Sequence, residues 1–175
     1  SVSAMLLARP NRMQPIYFAF KLKDGLFIGD GQSPNQLDFL LANKIGTIVN
    51  CAASEVTVQH QLDGIRIINF EWLDSDDEVI LDASDSNFHS ICHFIDDAHA
   101  KHEGVLVCSL RGQSRALTII TAYLIKKYKW SLYKTLEYLN SKRNDFEIRA
   151  NFLKQLVQLE ARLFGKKLKK KKKNW

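Results

Sequence analysis

The chain has 175 residues, of which 46% are hydrophobic and 25% are charged, a composition typical of one soluble globular domain. No apolar run approaches the length of a membrane-spanning helix, and the first residues contain no sustained apolar segment of the signal-peptide kind. The three cysteines, Cys51, Cys92 and Cys108, are an odd and sparse set without metal-ligand spacing. We therefore expect a cytoplasmic protein in a reducing environment, with no metal site and no cofactor.

The formal net charge of +6 comes from the C-terminal tail. Seven lysines lie within residues 166–173, and without them 18 basic residues stand against 19 acidic ones. The basic character therefore belongs to an appendage and not to the body of the fold. We divide the chain into an N-terminal extension over 1–14, a folded domain over 15–164 and a polybasic tail over 165–175. Because the tail is a run of like charges, we expect it to be disordered when free.

Short apolar runs bounded by turn residues predict strands in the first two thirds of the chain. These strands lie at residues 15–22, 25–30, 46–52, 64–72 and 104–108. The dipeptide Asp24-Gly25 predicts a hairpin turn between the first two. The run GVLVC at 104–108 is too short for a helix and apolar throughout, so it predicts the central strand of a sheet.

Segments in which apolar residues recur at helical spacing lie between these strands and after them. Residues 33–45 predict a helix that Ser33 caps, with Pro34 in its first turn. One face of this helix carries Leu37, Leu40 and Leu41. Further helices are predicted over 83–101, 115–128, 131–143 and 149–164. The helix over 83–101 has an apolar stripe that contains Phe88, Ile91, Phe94, Ile95 and Ala98. Because strands and helices alternate, we predict an α/β fold with a central, mostly parallel sheet, helices on its faces and a helical C-terminal half.

The stretch SLRGQSR, Ser109–Arg115, follows the predicted central strand directly and runs into a predicted buried helix. At such a junction several backbone N–H groups converge and the helix dipole favours an anion. Gly112 permits a tight curl of the backbone, and Arg115 has the geometry to grip two oxygens of a phosphate. The sequence therefore predicts an oxyanion-binding loop. The alternative is that Arg111 and Arg115 are surface charges at a capped helix start.

This loop resembles the signature of the dual-specificity protein phosphatases, which is His-Cys, two residues, Gly, one residue, and Ser-Arg-Ser. Gly112, Ser114 and Arg115 align with the family's Gly, Ser and Arg. The resemblance extends over nearly the whole chain. It includes LFIGD, IGTIVNCA, FIDDAHAKHEGVLV, AYLIKKYKWSLYKTLEYLNSKR and FLKQLVQLEARL. It implies a dual-specificity-phosphatase-like domain whose phosphate-binding residues are Ser109, Leu110, Arg111, Gly112, Gln113, Ser114 and Arg115.

The departures from this family signature fall on the residues that carry the chemistry. Ser109 stands at the position of the nucleophilic Cys, Cys108 at that of the preceding His, and Ala116 at that of the Ser or Thr after the Arg. A helix N-terminus can ionise a thiol but not an alcohol, and a serine nucleophile needs an adjacent base. We therefore expect Ser109 to be inert. The resemblance also implies that Asp74, in WLDSDDEV, occupies the general-acid position, although an acidic solvated loop explains it as well.

Cys108 is the other candidate nucleophile. To replace Ser109 it would have to move about 3.3 Å along its strand and point to the opposite face of the sheet. In-line attack does not tolerate such a displacement. We therefore interpret Cys108 as a buried strand residue, and Cys51 and Cys92 as core residues.

These observations favour a pseudophosphatase that binds a phosphorylated or acidic protein as a scaffold, competitor or structural component. Two alternatives stay open at this point: an active protein tyrosine or serine/threonine phosphatase, and a purely structural, for example cytoskeleton-associated, module without phosphate binding. For the polybasic tail we favour, on its charge alone, an acidic protein surface such as a cytoskeletal one over anionic membrane or nucleic acid. Interleaved aromatic residues that would indicate base stacking are absent from it apart from Trp175.

Overall fold

The computed structural model describes residues 18–59 and 62–173, with side chains up to Gly165. Its centre is one sheet of five strands in the order β1-β2-β5-β3-β4. The strands are β1 (Ala19–Lys23), β2 (Leu26–Gly29), β3 (Ile45–Asn50), β4 (Arg66–Asn69) and β5 (Gly104–Cys108). Only the β1–β2 pairing is antiparallel, and the three other pairings are parallel. The predicted α/β fold with a mostly parallel sheet is therefore confirmed.

Five α-helices surround this sheet in the part of the chain that the structure describes. They are α1 (Leu37–Ala42), α2 (Ser86–Ala100), α3 (Arg115–Tyr128), α4 (Leu132–Lys142) and α5 (Ala150–Lys173). Helix α3 is buried from Arg115 to Ile125, as its apolar sequence predicts, and Ser131 caps α4 by accepting a hydrogen bond from the N–H of Lys134. No helix among the described residues combines the length and the apolar character needed to cross a bilayer.

The central strand β5 is buried on both faces, and its pleat divides the core into two clusters. Val105 and Val107 point into the large cluster formed with α2, α3, α4 and α5. Leu106 and Cys108 point to the other face, into a smaller cluster that includes Leu40 of α1. Because side chains alternate along a strand, the face on which each residue of β5 lies is fixed by this packing.

The predicted helix over 33–45 is wrong in its extent and in its apolar face. A short 3₁₀ turn (Ser33–Asn35) and α1 replace it, and Gln36, with ψ of 86°, separates the two. Ser33 lies inside the 3₁₀ turn and donates its hydroxyl to the carbonyl of Asp30 at 2.7 Å, so it is not the cap. Helix α1 has six residues and buries one leucine, Leu40, while the other two leucines of the predicted face are exposed.

The backbone of α5 continues as a helix through Lys173, so the expectation of a disordered tail is wrong over 165–173. Lysine is a good helix former, and these residues extend a helix that is already anchored by its apolar face. The predicted extension over 1–14 and the final two residues of the tail lie outside the described residues.

Helix α5 holds the acidic loop between β4 and α2 against the body of the fold. The side-chain carbonyl of Gln155 accepts the N–H groups of Ile80 and Leu81 at 2.9 and 3.0 Å, and its amide donates to the carbonyl of Glu78 at 2.8 Å. One side chain thereby forms hydrogen bonds with three backbone groups of a loop that is not part of the sheet. This contact fixes the loop that carries Asp74.

We predict that Gln155→Ala lowers the free energy of unfolding by about 1–3 kcal/mol, because it leaves the N–H groups of Ile80 and Leu81 without partners. The matched control is Gln158→Ala on the same helix, where the glutamine is exposed, and we expect it to change stability little. Urea denaturation of both variants measures the difference. Equal stabilities of the two variants would show that Gln155 does not hold the loop.

Candidate phosphate-binding site

The loop between β5 and α3 is pressed against the end of β2. Gly112 has φ of +66°, and a Cβ at this position would lie 2.7 Å from the carbonyl oxygen of Gly29, so only glycine fits. The N–H of Ser109 donates to the same carbonyl at 3.2 Å, and the N–H of Gly31 donates to the carbonyl of Leu110 at 3.0 Å. These contacts hold the loop in one tight conformation at the carboxyl end of the sheet.

The second half of the loop is anchored to the segment that precedes α5. The side-chain amide of Gln113 donates to the carbonyl of Asp145 at 3.0 Å, and its backbone carbonyl accepts the N–H of Glu147 at 3.2 Å. The hydroxyl of Ser114 accepts the N–H of Arg149 at 3.0 Å. Both side chains therefore shape the loop in this structure, and their predicted contact with phosphate stays a prediction.

A cavity of about 310 Å³ opens over this loop. Its lining consists of Glu55, Asp74, Ser109, Leu110, Arg111, Gln113, Ser114, Arg115, Glu147 and Arg149. The structure thus brings Asp74 and six of the seven predicted loop residues to one cavity. The seventh, Gly112, does not line the cavity and lies against the backbone of Gly29. The sequence analysis missed three charged residues of the lining, which are Glu55, Glu147 and Arg149.

Ser109 lies at the N-terminal end of α3 and is only 2% exposed. Its hydroxyl oxygen accepts the N–H of Ala116 at 3.4 Å. Within the described parts of the chain, no histidine or carboxylate is hydrogen-bonded to this hydroxyl. The arrangement offers the dipole of α3 to the oxygen, but it provides no general base that could remove the proton.

Arg115 is 3% exposed, so it is not a surface charge, whereas Arg111 is exposed. The guanidinium of Arg115 donates through Nη1 to Oε1 of Glu55 and to the carbonyl of Trp72, both at 2.8 Å, and through Nη2 to Oε2 of Glu55 at 3.3 Å. A carboxylate therefore occupies the bidentate face that we predicted for phosphate. Glu55 follows β3 at the same edge of the sheet, so the fold brings it to Arg115 although the two are 60 positions apart in sequence.

Arg149 forms the opposite wall of the cavity and binds the acidic loop. Its Nε donates to Oδ1 of Asp74 at 2.9 Å, its Nη2 to the carbonyl of Asp74 at 2.6 Å, and its Nη1 to Oδ1 of Asp76 at 2.7 Å. Hydrogen bonds to Asp74 and Asp76 raise the pKa of Arg149 above its ordinary value. Asp74 therefore reaches the cavity as an ion-paired carboxylate, and its role as general acid stays a prediction.

Cys108 is fully buried in β5, as predicted, and its side chain lies in the cluster on the face of the sheet away from α3. Burial raises the pKa of its thiol to about 12, and the negative charge of Asp30 contributes in the same direction. Cys51 and Cys92 are also buried free thiols, and burial raises the pKa of both. Their assignment to the core is confirmed.

We predict that Cys108 in the folded protein resists alkylation by iodoacetamide at pH 8. With a pKa of about 12, only about one molecule in ten thousand carries the thiolate at this pH. Because the pKa is raised by folding, the rate for the folded chain should keep rising with pH above 9, where the rate for the unfolded chain levels off. Peptide mapping by mass spectrometry measures both rates. Rapid modification of Cys108 in the folded chain at pH 8 would contradict its burial.

The family model for the dual-specificity phosphatase catalytic domain matches residues 26–162. The chain belongs to the dual-specificity phosphatase family. Dual specificity protein phosphatase 1B of Arabidopsis thaliana is 29% identical over 149 residues, which cover 83% of this chain and 83% of that protein. Human dual specificity protein phosphatase 21 is 28% identical over 153 residues, or 87% of this chain and 77% of that protein. The residues matched by the family model include the loop, the acidic segment and every residue that lines the cavity.

Solved structures agree with this assignment at the level of the fold. Human DUSP28 has a TM-score of 0.76 and 23% identity, with 88% of this chain and 99% of that chain covered. The human tyrosine phosphatase-like serine/threonine/tyrosine-interacting protein has a TM-score of 0.73 and 23% identity, with 82% of this chain and 95% of that chain covered. Among the residues described here, no group of three histidine, cysteine, aspartate or glutamate side chains is arranged to hold a metal ion.

Proposed function

We propose that this chain is a dual-specificity-phosphatase-like protein that binds the phosphate group of a phosphorylated partner at Ser109–Arg115 without hydrolysing it. The observation that carries the proposal is the state of the two candidate nucleophiles. Ser109 faces the N-terminus of α3 with an un-ionised hydroxyl and no base beside it, and Cys108 lies on the opposite face of the sheet with a pKa of about 12. Neither side chain is equipped to attack phosphorus at neutral pH.

The cavity nevertheless retains the groups that bind a phosphate. The start of α3 directs backbone N–H groups and the positive end of the helix dipole at Ser109, and three guanidinium groups line the cavity. In the free protein, Glu55 satisfies Arg115, and Asp74 and Asp76 satisfy Arg149. A phosphate dianion that enters has to take the place of Glu55 on Arg115, so the affinity of the loop depends on this exchange of anions.

We predict that Arg115→Ala weakens the affinity for a phosphotyrosine peptide by about ten-fold or more, because charge-assisted hydrogen bonds contribute about 1.5–3 kcal/mol. Arg115→Lys should also lose affinity, since a lysine keeps the charge without the bidentate fork. Arg66→Ala, which removes an arginine paired with Asp97 outside the cavity, is the control. Isothermal titration calorimetry measures the affinities, and circular dichroism checks that each variant is folded.

In the same titration we expect Glu55→Gln to bind the peptide more tightly than the wild type, because the competing carboxylate is gone. Glu71→Gln, at an exposed position after β4, is the matched control. If the wild type and Glu55→Gln both fail to bind phosphate, the loop does not act as a phosphate site. In that case only the structural role remains.

We predict that Ser109→Cys restores hydrolysis of a generic aryl phosphate, and that Ser109→Cys combined with Cys108→His restores more. The thiol would lie at the helix N-terminus, where its pKa is lowered, and the histidine would complete the family signature. The wild-type chain should show no turnover above that of its Arg115→Ala variant. Hydrolysis by the wild type that Arg115→Ala abolishes would instead support an active phosphatase with an unorthodox nucleophile.

A binding role has a named parallel among the similar structures, one of which is described as a phosphatase-like, interacting protein. We infer that this chain acts in the cytoplasm as a scaffold or as a competitor for a phosphorylated protein. For the seven lysines of the tail we propose an acidic protein surface, of the cytoskeletal kind, in preference to anionic membrane or nucleic acid.

A further inference from the structure

A row of alternating aromatic and basic residues lies along α4 and extends to the turn before it. Trp130, Lys134, Tyr138 and Lys142 follow one another at intervals of four residues, the spacing that aligns side chains on one face of a helix. The ammonium group of Lys134 lies 5.1 Å from the centre of the Trp130 ring, and that of Lys142 lies 5.3 Å from the centre of the Tyr138 ring. Lys142 therefore rests on a ring of its own helix, and Lys134 rests on a ring of the turn that precedes it.

The edge strand β1 adds a third lysine, Lys23, which contacts the same two rings. The ammonium group of Lys23 lies 4.7 Å from the ring centre of Tyr128, 5.6 Å from that of Tyr138 and 5.8 Å from that of Trp130. The rings themselves are fixed. Tyr128 stacks on Trp130 at 5.1 Å between centroids, and the hydroxyl of Tyr138 donates to the carbonyl of Leu22 at 2.8 Å. We call Lys23, Lys134 and Lys142 with these three aromatic residues the lysine–aromatic ladder.

The charges of the ladder are not neutralised within the described chain. None of its three lysines forms an ion pair with a carboxylate there, whereas two neighbouring lysines do: Lys21 with Asp24 at 3.7 Å, and Lys127 with Asp96 at 3.4 Å. Asp24, next to Lys23 in sequence, pairs with Lys21 instead, and the exposed Glu137 on α4 forms no ion pair with a described lysine or arginine. Three ammonium groups that are held in place and lack a counter-charge favour an anionic partner, and they repel a cationic one.

The shape of the ladder favours a linear partner over a flat one. Lys134 and Lys142 are eight residues apart, or about 12 Å along the helix, and Lys23 shares the Trp130 ring with Lys134 and the Tyr138 ring with Lys142. In an extended peptide, side chains on one face repeat every two residues, so three acidic residues at alternate positions span about 13 Å. Because the rings already restrict the lysine side chains, less rotamer freedom is lost on binding than at an ordinary lysine cluster.

We propose that the lysine–aromatic ladder is a docking surface for an extended acidic protein segment with acidic side chains at alternate positions. This surface uses no residue of the cavity, so the proposal stands or falls independently of phosphate binding at the loop. Its distinguishing property is the register of the acidic residues, which attraction to net positive charge alone does not select.

The test uses the full chain and two fluorescein-labelled peptides, measured by fluorescence anisotropy. One peptide has three glutamates at alternate positions separated by serine, and the other has the same composition with the three glutamates consecutive. We expect the first to bind about five-fold more tightly or better. A triple variant, Lys23→Gln with Lys134→Gln and Lys142→Gln, should abolish this preference. Equal binding of the two peptides by the wild type would overturn the proposal.

The matched charge control is Lys170→Gln with Lys171→Gln and Lys172→Gln, which removes three positive charges from the tail. We expect it to weaken both peptides equally and to keep the preference, and a loss of the preference in this variant would contradict the proposal. Tyr138→Leu keeps every charge but removes the ring that holds two of the lysines, so it should reduce the preference at least about two-fold. Thermal denaturation checks that this variant is folded.

Two further probes separate the other anionic partners. Vesicles of phosphatidylcholine with 30% phosphatidylserine, and a single-stranded oligouridylate, are titrated into the wild type and the ladder triple variant. We expect these to bind the two proteins alike. The contrary result is that the ladder triple variant loses affinity for vesicles or RNA but binds both peptides as tightly as the wild type does. In that case the surface binds a membrane or a nucleic acid, and the peptide proposal is wrong.

Discussion

The pleat of β5 is the constraint on which the site depends. Val105 and Val107 fill the core under α3 while Leu106 and Cys108 fill the opposite face, and both faces are sealed. A shift of β5 by one residue in its register would move each of these side chains to the opposite face of the sheet, where the core is packed for the other set. Ser109 is therefore the first residue after the strand that faces α3, and Cys108 cannot take its place. The side chain at position 109 is thus the one that the strand directs at the start of α3.

The rest of the cavity is organised by pairing of opposite charges. Arg115 and Arg149 would each be costly to leave unpaired near the protein interior, and each has a carboxylate partner from a loop at the carboxyl edge of the sheet. The same partners neutralise these arginines in the free protein. Under the proposed function, an incoming phosphate would replace Glu55 on Arg115, so its affinity would be the difference between the two interactions.

Features of the fold and the site that depend on residues close in sequence were predictable, and those that depend on contacts between distant residues were not. Helix α3 begins and ends where the apolar run over 115–128 does, because its burial is uniform and its ends are marked by the loop and by Lys129. Helix α1 was mispredicted because tertiary contacts, and not its leucine pattern, decide which side of six residues is buried. The Arg115–Glu55 pair joins residues 60 positions apart, and no local pattern in the sequence specifies which carboxylate the arginine meets.

The near neutrality of the folded body conceals a separation of charge. Acidic residues are concentrated in the stretch from Asp74, which lines the cavity, to Asp85, and arginines of the C-terminal segment pair with them. The lysines of the ladder are instead held by aromatic rings, which lower the energy of a cation without cancelling its charge. A carboxylate partner would have fixed these side chains equally well. Since rings hold them here, their positive field remains available to another molecule.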